Sequence, residues 1–259
     1  MDPLLNYTDK VVLITGAASG FGKLLAKEFA DRGAKLVLGD INEAGLDEVV
    51  MGLQQSDKPA AGQRCDVSKE ADIKGLVDLA KSTYGRLDIA INNAGVAQEF
   101  TPIAQTSEEL LDLQLNINTK SVLFGMKHQI PLMQEQGEGV ILNVSSMAGL
   151  GGSPKIGAYS AAKHAVVGLT KTAAVECGRK NIRINAVCPF FTLTPMVTDS
   201  ELTQHAPVED VTNFLSQGSP MKRLGEPEEI VNVMLLLCSP GNTYMTGQTI
   251  AIDGGVSAF

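Results

Sequence analysis

The chain has 259 residues, 44% of them hydrophobic, which allows a single domain over residues 1–259 with one large core. Its formal net charge of -8, without any run of Lys or Arg, argues against a nucleic acid or an anionic membrane as partner. No apolar run approaches the roughly twenty residues of a membrane span, and the N-terminus lacks the pattern of a secretory signal. We therefore expect a cytoplasmic protein.

The cysteines and histidines predict neither a disulfide framework nor a metal site. The three histidines show no spacing of paired metal ligands, so no metal is expected. The four cysteines are far apart and form no CxxC pair, which predicts small buried side chains in a reducing compartment. They are Cys65, Cys177, Cys188 and Cys238.

Short apolar or β-branched runs alternate with amphipathic stretches along the chain. The clear runs span residues 10–15, 35–40, 87–92, 139–145, 182–188 and 249–253, and a weaker one ends at Cys65–Asp66. Continuous apolar runs such as residues 11–14 are typical of parallel strands that helices cover on both faces. The pattern predicts an α/β fold: a single-domain, Rossmann-like, doubly wound parallel sheet of about seven strands with helices on both faces.

Helices are predicted between these strands, and only residues 191–218 give no clear pattern. The helices begin near Phe21, Asn42, Lys69, Ser107 and Tyr159, with shorter ones near Pro207 and Glu226. The residues that look like helix starts are Asn42, Ser68, Thr106 and Glu226.

A glycine-rich turn, TGAASGFG at residues 15–22, follows the first predicted strand and opens the first predicted helix. Glycines permit a tight turn and a close approach of backbone N–H groups to a pyrophosphate. The helix N-terminus adds partial positive charge. A glycine triplet alone is weak evidence, but this one lies between a strand and a helix and is followed by Asp40 at the end of the second strand. The segment predicts a dinucleotide-binding loop.

Asp40 predicts which dinucleotide is bound. Its carboxylate can accept hydrogen bonds from adenosine ribose hydroxyls, whereas a 2'-phosphate would meet like charge. Two unit charges 4 Å apart repel by about 4 kcal/mol at an effective dielectric of 20. Neither Ser19 nor Ile41 offers a cation for a 2'-phosphate, so NAD is expected over NADP. The alternative is that Asp40 merely caps the helix that begins at Asn42.

Ser146, Tyr159 and Lys163 form a second candidate site. Tyr159 and Lys163 are four residues apart, so they share one face of a helix. An adjacent ammonium favours the phenolate, which predicts a lowered pKa and makes Tyr159 a usable acid or base. Taken alone, such a pair is more often an ordinary surface pair, with Ser146 merely ending a strand.

These features together closely resemble the short-chain dehydrogenase/reductase family. The motifs are the glycine loop, Asn92-Asn93-Ala94-Gly95 after the fourth strand, and the Ser146, Tyr159 and Lys163 set. Asp66-Val67, Asn118, residues 185–194 and residues 253–255 extend the resemblance over essentially the whole chain.

The resemblance implies a role for each catalytic residue. Tyr159 would exchange the substrate proton, and Lys163 would lower its pKa while holding the nicotinamide ribose. Ser146 would orient the substrate oxygen, and the backbone carbonyl of Asn118 would hold a water in the proton path. Asp66 and Val67 would flank adenine. The implied cofactor-binding residues are Gly16, Ser19, Gly20, Phe21, Gly22, Asp40, Asp66, Val67, Asn93, Ala94, Gly95, Tyr159, Lys163, Pro189, Thr192 and Thr194.

One position departs from the family pattern. Members usually have Pro-Gly after the sixth strand, but here the pair is Pro189-Phe190. A Phe cannot easily adopt the conformations open to Gly, so the local backbone is either ordinary or strained. Thr192 and Thr194 still match the family positions that contact the nicotinamide. We therefore interpret Phe190 as a change in the shape of the pocket.

The substrate pocket is predicted to be apolar, under a lid at about residues 190–218. No Arg or Lys lies between Phe190 and Gln217, so a neutral, hydrophobic secondary alcohol or ketone fits best. The alternative is that residues such as Leu193, Met196 and Phe214 only pack the lid onto the core. The predicted pocket residues are Val96, Leu150, Phe190, Phe191, Met196 and Phe214.

The leading hypothesis is an NAD-dependent dehydrogenase of an aromatic, alicyclic or steroidal secondary alcohol. One alternative is a 3-oxoacyl-(acyl carrier protein) reductase, which would need NADPH and a basic surface at the entrance of the active site for an acidic carrier protein. Another is a non-catalytic NAD-binding scaffold. The resemblance also implies a homo-oligomer, a tetramer formed through long helices near residues 107–136 and 159–179.

Overall fold

Seven strands form one parallel sheet. The structure, a computed structural model, describes residues 3–258 except for the side chains of residues 201 and 202. The strands are β1 (Val11–Thr15), β2 (Lys35–Asp40), β3 (Ala60–Arg64), β4 (Ile89–Asn92), β5 (Gly139–Val144), β6 (Ile182–Pro189) and β7 (Thr249–Ile252). Their order is β3-β2-β1-β4-β5-β6-β7, and every neighbouring pair is parallel.

Helices cover both faces of this sheet. They are α1 (Gly20–Asp31), α2 (Glu43–Gln55), α3 (Glu70–Tyr84), α4 (Glu108–Gln114), α5 (Ser121–Gln136), α6 (Gly157–Cys177), α7 (Pro195–Thr198), α8 (Glu201–His205), α9 (Val208–Ser216) and α10 (Pro227–Cys238). Among the described residues, no helix is both long and apolar enough to cross a membrane. The four cysteines are buried and unpaired, as predicted.

Strand β1 shows why the chain forms this layered structure. All five of its residues are buried, and successive side chains point to opposite faces. Val12 and Ile14 join the apolar cluster beneath α1, α2 and α10, whereas Val11 and Leu13 join the cluster beneath α3, α5 and α6. The predicted doubly wound α/β architecture is therefore confirmed.

The strand order reverses next to β1. The chain runs outward from β1 to β2 and β3, then returns to place β4 on the other side of β1. The loops after β1 and β4 therefore leave the sheet in opposite directions, and a crevice opens between them. This crevice positions the site described below.

Several element boundaries differ from the predictions. Strand β3 ends at Arg64 rather than at Cys65–Asp66. The Cys65 amide still donates to Asp40 O at 2.8 Å, but the Asp66 amide leaves the sheet and donates to the side chain of Asp72 at 2.9 Å. Lys69 rather than Ser68 precedes α3, since the Ser68 hydroxyl donates to Asp66 at 2.6 Å.

Helix starts at α2 and α10 agree with the predictions, whereas the start of α4 differs by one residue. The side chain of Asn42 caps α2 by accepting from Gly45 N at 3.1 Å. Glu226 forms a capping box with Glu229 at the start of α10. Ser107, rather than Thr106, caps α4. The single long helix expected over residues 107–136 is divided, because a π-helical segment, Leu115–Lys120, joins α4 to α5.

The segment predicted as a lid folds into α7, α8 and α9. Val197, Val211 and Leu215 form a small apolar cluster with Leu224, separate from the two clusters of the sheet, and Leu193 packs against it. Leu193 is thus a packing residue, as the alternative held, but it packs against this small cluster and not onto the core of the sheet. Met196 and Phe214 instead remain 46% and 69% exposed.

Candidate active site

A cleft of about 440 Å³ lies at the carboxyl ends of the strands around the β1–β4 crevice. It brings together most of the residues that sequence analysis singled out. Those at its wall are Gly16, Ser19, Gly20, Phe21, Asp40, Asp66, Val67, Asn93, Ala94, Gly95, Val96, Ser146, Tyr159, Lys163, Pro189, Phe190, Phe191, Thr192, Thr194 and Met196. Gly22, Asn118, Leu150 and Phe214 are not among the described residues that line it.

The glycine loop has the geometry of an anion cradle. Gly16 adopts a φ of 69°, which side chains disfavour. Gly22 lies beneath the loop, where an added Cβ would come within 1.9 Å of the Gly16 carbonyl oxygen. Gly20 and Phe21 at the N-terminus of α1 line the cleft, so the positive end of the helix dipole faces it. These features fit a dinucleotide pyrophosphate.

Asp40 ties the glycine loop to the start of α2. One carboxylate oxygen accepts from Ala18 N at 2.9 Å, and the other accepts from Asn42 N at 2.9 Å. The cap of α2 is the side chain of Asn42 itself, so Asp40 is not merely a helix cap. Its charge is held at the wall of the cleft by two backbone donors.

Asn93 and Thr15 join the two loops that flank the crevice. The Asn93 side chain donates to Thr15 O at 2.9 Å and to Gly16 O at 3.2 Å. The Thr15 hydroxyl accepts from the backbone amides of Asn93 and Ala94, both at 3.1 Å. Thr15 is thus a positioning residue that sequence analysis missed, although its place at the end of β1 beside the glycine loop was a usable signal.

Lys163 and Tyr159 face each other on α6. The Lys163 ammonium is 5.6 Å from the centre of the Tyr159 ring and donates to Val144 O at 2.9 Å. Lys163 is 4% exposed, and burial lowers its pKa to about 8. It is the one basic residue among the described residues that line the cleft.

The predicted lowering of the Tyr159 pKa is wrong. Burial raises the pKa of this phenol above its ordinary value, and a hydrogen bond with the Ser146 hydroxyl only partly opposes the rise. Removing a phenolate from water is unfavourable, and here that effect exceeds the favourable ones. The three side chains nevertheless lie together, as the resemblance implied. Ser146 also accepts from Ala148 N at 3.2 Å.

Asn118 is fully buried in the π-helical segment behind the cleft. Its side chain accepts from Val96 N and donates to Val96 O, both at 3.0 Å, and also donates to Gln114 at 2.6 Å. A Cβ on Gly95 would come within 2.6 Å of the Asn118 oxygen, so a glycine is required at that position. The side chain of Asn118 therefore fixes the loop after β4.

Gln98 is a second residue that sequence analysis missed. It is 8% exposed, lines the cleft and accepts from Tyr159 N at 2.8 Å. The available signal was a polar residue three positions after the glycine of the Asn-Ala-Gly motif.

The substrate end of the cleft is largely apolar. Of the predicted pocket residues, Val96, Phe190, Phe191 and Met196 line it. Phe214 instead points outward, because Val211 and Leu215 occupy the inner face of α9. Leu150 is 37% exposed and also lies outside the lining. The predicted roles of Leu150 and Phe214 as pocket residues are thus not borne out. Further apolar lining comes from Phe100, Ile117, Met147, Ile156 and Val197.

Phe190 follows an ordinary backbone path. It is not among the described residues with positive φ, and its amide donates to Ile252 O at 3.0 Å, extending the β6–β7 ladder. Its ring packs edge-on against Phe191 with centroids 4.9 Å apart. A Phe in place of the usual Gly therefore introduces no strain and narrows the cleft.

The chain also matches known proteins along nearly its whole length. A family model described as enoyl-(acyl carrier protein) reductase matches residues 16–257. This chain belongs to the short-chain dehydrogenase/reductase family. Levodione reductase of Leifsonia aquatica is 38% identical to this family member over 260 residues, which cover 99% of this chain and 97% of that protein.

Other comparisons support the same assignment within the short-chain dehydrogenase/reductase family. A 3-oxoacyl-(acyl carrier protein) reductase of Thermotoga maritima is 39% identical over 252 residues, covering 97% of this chain and 99% of that protein. Cyclohexanol dehydrogenase of an Acinetobacter species is 35% identical over 253 residues, covering 98% and 97%. The crystal structure of levodione reductase matches with a TM-score of 0.92 and 37% identity over 97% of this chain and 98% of that one.

This short-chain dehydrogenase/reductase is accordingly an enzyme. It is an oxidoreductase that acts on alcohols or the corresponding carbonyl compounds with a nicotinamide cofactor, NAD or NADP. The glycine cradle and the donors around it fit the pyrophosphate of such a cofactor. The predicted family, fold and enzyme class are confirmed.

Proposed function

We propose that the enzyme interconverts a hydrophobic, ring-bearing secondary alcohol and its ketone with NAD. The observation that carries this proposal is the grouping of Ser146, Tyr159 and Lys163 at the wall of a largely apolar cleft. The similarity to levodione reductase and cyclohexanol dehydrogenase, whose names specify ring substrates, supports an alicyclic substrate. Aromatic and steroidal alcohols belong to the same proposed class.

Asp40 supports NAD rather than NADP. Its carboxylate is held by Ala18 N and Asn42 N, so it cannot swing away from a 2'-phosphate without losing both hydrogen bonds. Lys163 is the one cation in the described lining, and it sits beside Tyr159. A bound NADP would therefore place its additional phosphate near a fixed negative charge.

The proposed chemistry separates a hydride from a proton. A bound nicotinamide supplies the hydride acceptor for oxidation and the donor for reduction. Tyr159 takes the hydroxyl proton of the alcohol during oxidation and returns it to the ketone oxygen during reduction. The Ser146 hydroxyl orients that oxygen, and Lys163 provides positive charge beside the phenol while it can also contact the nicotinamide ribose.

Asn118 is proposed to act through its backbone carbonyl as part of the proton path to solvent. Its side chain is engaged with Val96 and Gln114, which leaves the backbone as the part able to serve this role. Its place in a π-helical segment supports the proposal, because such segments recur at functional sites.

The proposed function is tested by measuring the affinities of NAD, NADH, NADP and NADPH by calorimetry. A panel of cyclic and open-chain secondary alcohols is then assayed with the preferred cofactor at alkaline pH. We expect tight binding of NAD and fastest turnover of an apolar ring alcohol. Preference for NADPH, or binding without turnover of any alcohol, would contradict the proposal.

A 3-oxoacyl-(acyl carrier protein) reductase is the second candidate function. The 39% identity to the Thermotoga maritima protein of that name favours it. The net charge of -8 and the position of Asp40 argue against NADPH and an acidic carrier protein. Turnover of a 3-oxoacyl thioester with NADPH, without turnover of alcohols with NAD, would place this function first.

Phe190 is predicted to limit the size of the substrate. It lines both the main cleft and an adjacent cavity of about 140 Å³, so we expect Phe190→Gly to enlarge the cleft towards that cavity. We expect kcat/KM to fall about tenfold or more for a single-ring alcohol, because a large apolar contact is lost. For bulkier bicyclic alcohols it should rise. The measurement is kcat/KM across a size series of ring alcohols.

Phe214→Ala is the matched control for Phe190→Gly. Phe214 is 69% exposed and lies outside the lining of both cavities, so its removal should leave the size preference unchanged. If Phe190→Gly shows the same preference as the parent enzyme, Phe190 does not limit the substrate.

We also propose a homotetramer in the cytoplasm. Apolar side chains remain exposed on α4, α5 and α6, namely Leu111, Leu113, Leu123 and Val175. Contact between copies would remove them from water. The buried, unpaired cysteines support a reducing compartment. Light scattering should give the mass of four chains, and the mass of one chain would contradict the assembly.

A further inference from the structure

The N-terminus of α6 lacks a conventional cap although it carries Tyr159 as its third residue. The first amides of a helix have no partner within the helix and need an acceptor from elsewhere. Ile156 occupies the N-cap position and provides no side-chain cap in the described structure. The first turn also contains no acidic residue. The turn that bears Tyr159 therefore depends on a group outside α6.

Gln98 supplies that acceptor from the loop after β4. Its side-chain oxygen accepts from Tyr159 N at 2.8 Å, and its nitrogen donates to Lys155 O at 3.4 Å. Thr101 N donates to the same Lys155 oxygen at 2.7 Å. The segment leading into α6 is thus held to this loop at two places.

The Gln98 loop is itself fixed from the opposite side. Gln114 donates to Ala97 O at 2.9 Å, and Asn118 holds both backbone groups of Val96. One continuous set of contacts therefore runs from the π-helical segment, through residues 96–98, to the backbone of Tyr159. The loop residues lie next to Asn93, Ala94 and Gly95, which line the same cleft.

We propose that Gln98 is a positioning residue, which sets the place of the Tyr159 phenol relative to the cofactor by capping α6 at Tyr159 N. This proposal rests on the proposed dehydrogenase function. A Glu could accept the same hydrogen bond, so the cap alone does not require an amide. An ionised Glu at this buried place would add a negative charge near the phenol, whereas Gln provides the cap without the charge.

The consequence is testable through pH as well as rate. The titratable groups that face the Tyr159 phenol are Lys163 on its own helix and Cys188 on β6. A carboxylate introduced at position 98 disfavours the phenolate, so Gln98→Glu should raise the pKa of Tyr159. The limb of the pH profile for alcohol oxidation that reports Tyr159 should move to higher pH by about half a unit or more.

The experiment compares Gln98→Leu and Gln98→Glu with Gln136→Leu. Gln136 also bridges backbone groups, accepting from Leu87 N at 2.6 Å and donating to Leu87 O at 2.9 Å, but it does not line the cleft. We expect Gln98→Leu to lower kcat about tenfold to a hundredfold, since a small misplacement of a reacting group has effects of this size. Affinity for NAD should stay within about twofold for all three variants.

Rescue by the conservative variant separates positioning from simple stabilisation. At a pH above its shifted limb, Gln98→Glu should recover most of the kcat lost in Gln98→Leu, because the cap is restored. Gln136→Leu should lower thermal stability without changing kcat or the pH profile. A Gln98→Leu variant with unchanged kcat would overturn the proposal. So would a Gln98→Leu variant whose only change is lower thermal stability, as expected for Gln136→Leu.

Hydrogen exchange of the Tyr159 segment gives a readout that does not depend on turnover. Peptides covering residues 155–162 should exchange faster in Gln98→Leu than in the parent protein or in Gln136→Leu. If no alcohol is turned over but this exchange increases, the proposed function fails while the cap is supported. Unchanged exchange would contradict the cap itself.

Discussion

Tyr159→Phe is expected to lower kcat for alcohol oxidation by about a hundredfold to ten-thousandfold, the range that general acid–base groups contribute. The phenol is the proposed proton donor and acceptor, and it lies beside Ser146 and Lys163. A Phe fills nearly the same volume, so affinity for NAD should change by no more than about twofold. Steady-state kinetics and calorimetry on the purified variant measure both quantities.

Tyr244→Phe is the control for this substitution. Tyr244 is fully exposed, and removal of its hydroxyl should leave kcat unchanged. Full activity in Tyr159→Phe would remove Tyr159 from the mechanism. Unchanged biological activity together with intact NAD binding would favour a non-catalytic scaffold instead.

The direction of the pH dependence follows from the same residue. In the proposed mechanism, alcohol oxidation needs the phenolate of Tyr159, and burial raises the pKa of that phenol. The rate of alcohol oxidation should therefore rise with pH from about pH 6 to about pH 10, while ketone reduction, which needs the protonated phenol, should fall only as the pH approaches that raised pKa. Initial rates in both directions at fixed ionic strength provide the measurement. An oxidation rate that falls steadily over this range would contradict the assignment of Tyr159 as the base.

Asp40→Asn is expected to change the ratio of NADP to NAD affinity by about a thousandfold in favour of NADP. The reason is the removal of a fixed negative charge, whose repulsion of a phosphate a few ångströms away is worth about 4 kcal/mol or more. Asn retains one side-chain oxygen, so one of the hydrogen bonds from Ala18 N and Asn42 N can persist. Calorimetric dissociation constants for NAD and NADP, at one salt concentration, give the ratio.

Asp66→Asn is the matched control for Asp40→Asn. Asp66 also lines the cleft and carries the same charge, but it belongs to the loop after β3 and holds Ser68. Its substitution should weaken the binding of NAD and NADP to a similar extent and leave the ratio of the two affinities nearly constant. If the ratio in Asp40→Asn equals that of the parent enzyme, Asp40 does not select the cofactor.

Local pattern was enough to predict the fold, and together with the family resemblance it indicated the candidate site residues. The apolar run of β1 indicated a strand buried on both faces, because side chains alternate along a strand whatever surrounds it. The glycine loop and the Tyr159 and Lys163 pair also depend on only a few consecutive residues. Motifs of this kind predict a local backbone conformation or two side chains on one face of a helix. The structure contains both features.

Sequence pattern could not predict the sign of the Tyr159 pKa shift or the outward direction of Phe214. The first depends on how much of the surrounding fold excludes water from the phenol. The second depends on which face of α9 meets the small cluster around Val211 and Leu215. Both are properties of packing between segments that are far apart in the chain.

The amino-acid sequence by itself determined the sheet and the glycine-rich loop of this protein, because each is encoded in short-range periodicity or a contiguous motif, and the family resemblance added the proposed acid–base residues. Only the tertiary structure decided that Gln98 caps the helix of Tyr159 across 61 residues, and that the side chain of Asn118 holds Val96. It also decided that Phe190 takes an ordinary backbone path along β7. Such contacts arise where distant segments pack together, and neither periodicity nor a local motif encodes which polar group will meet which backbone amide.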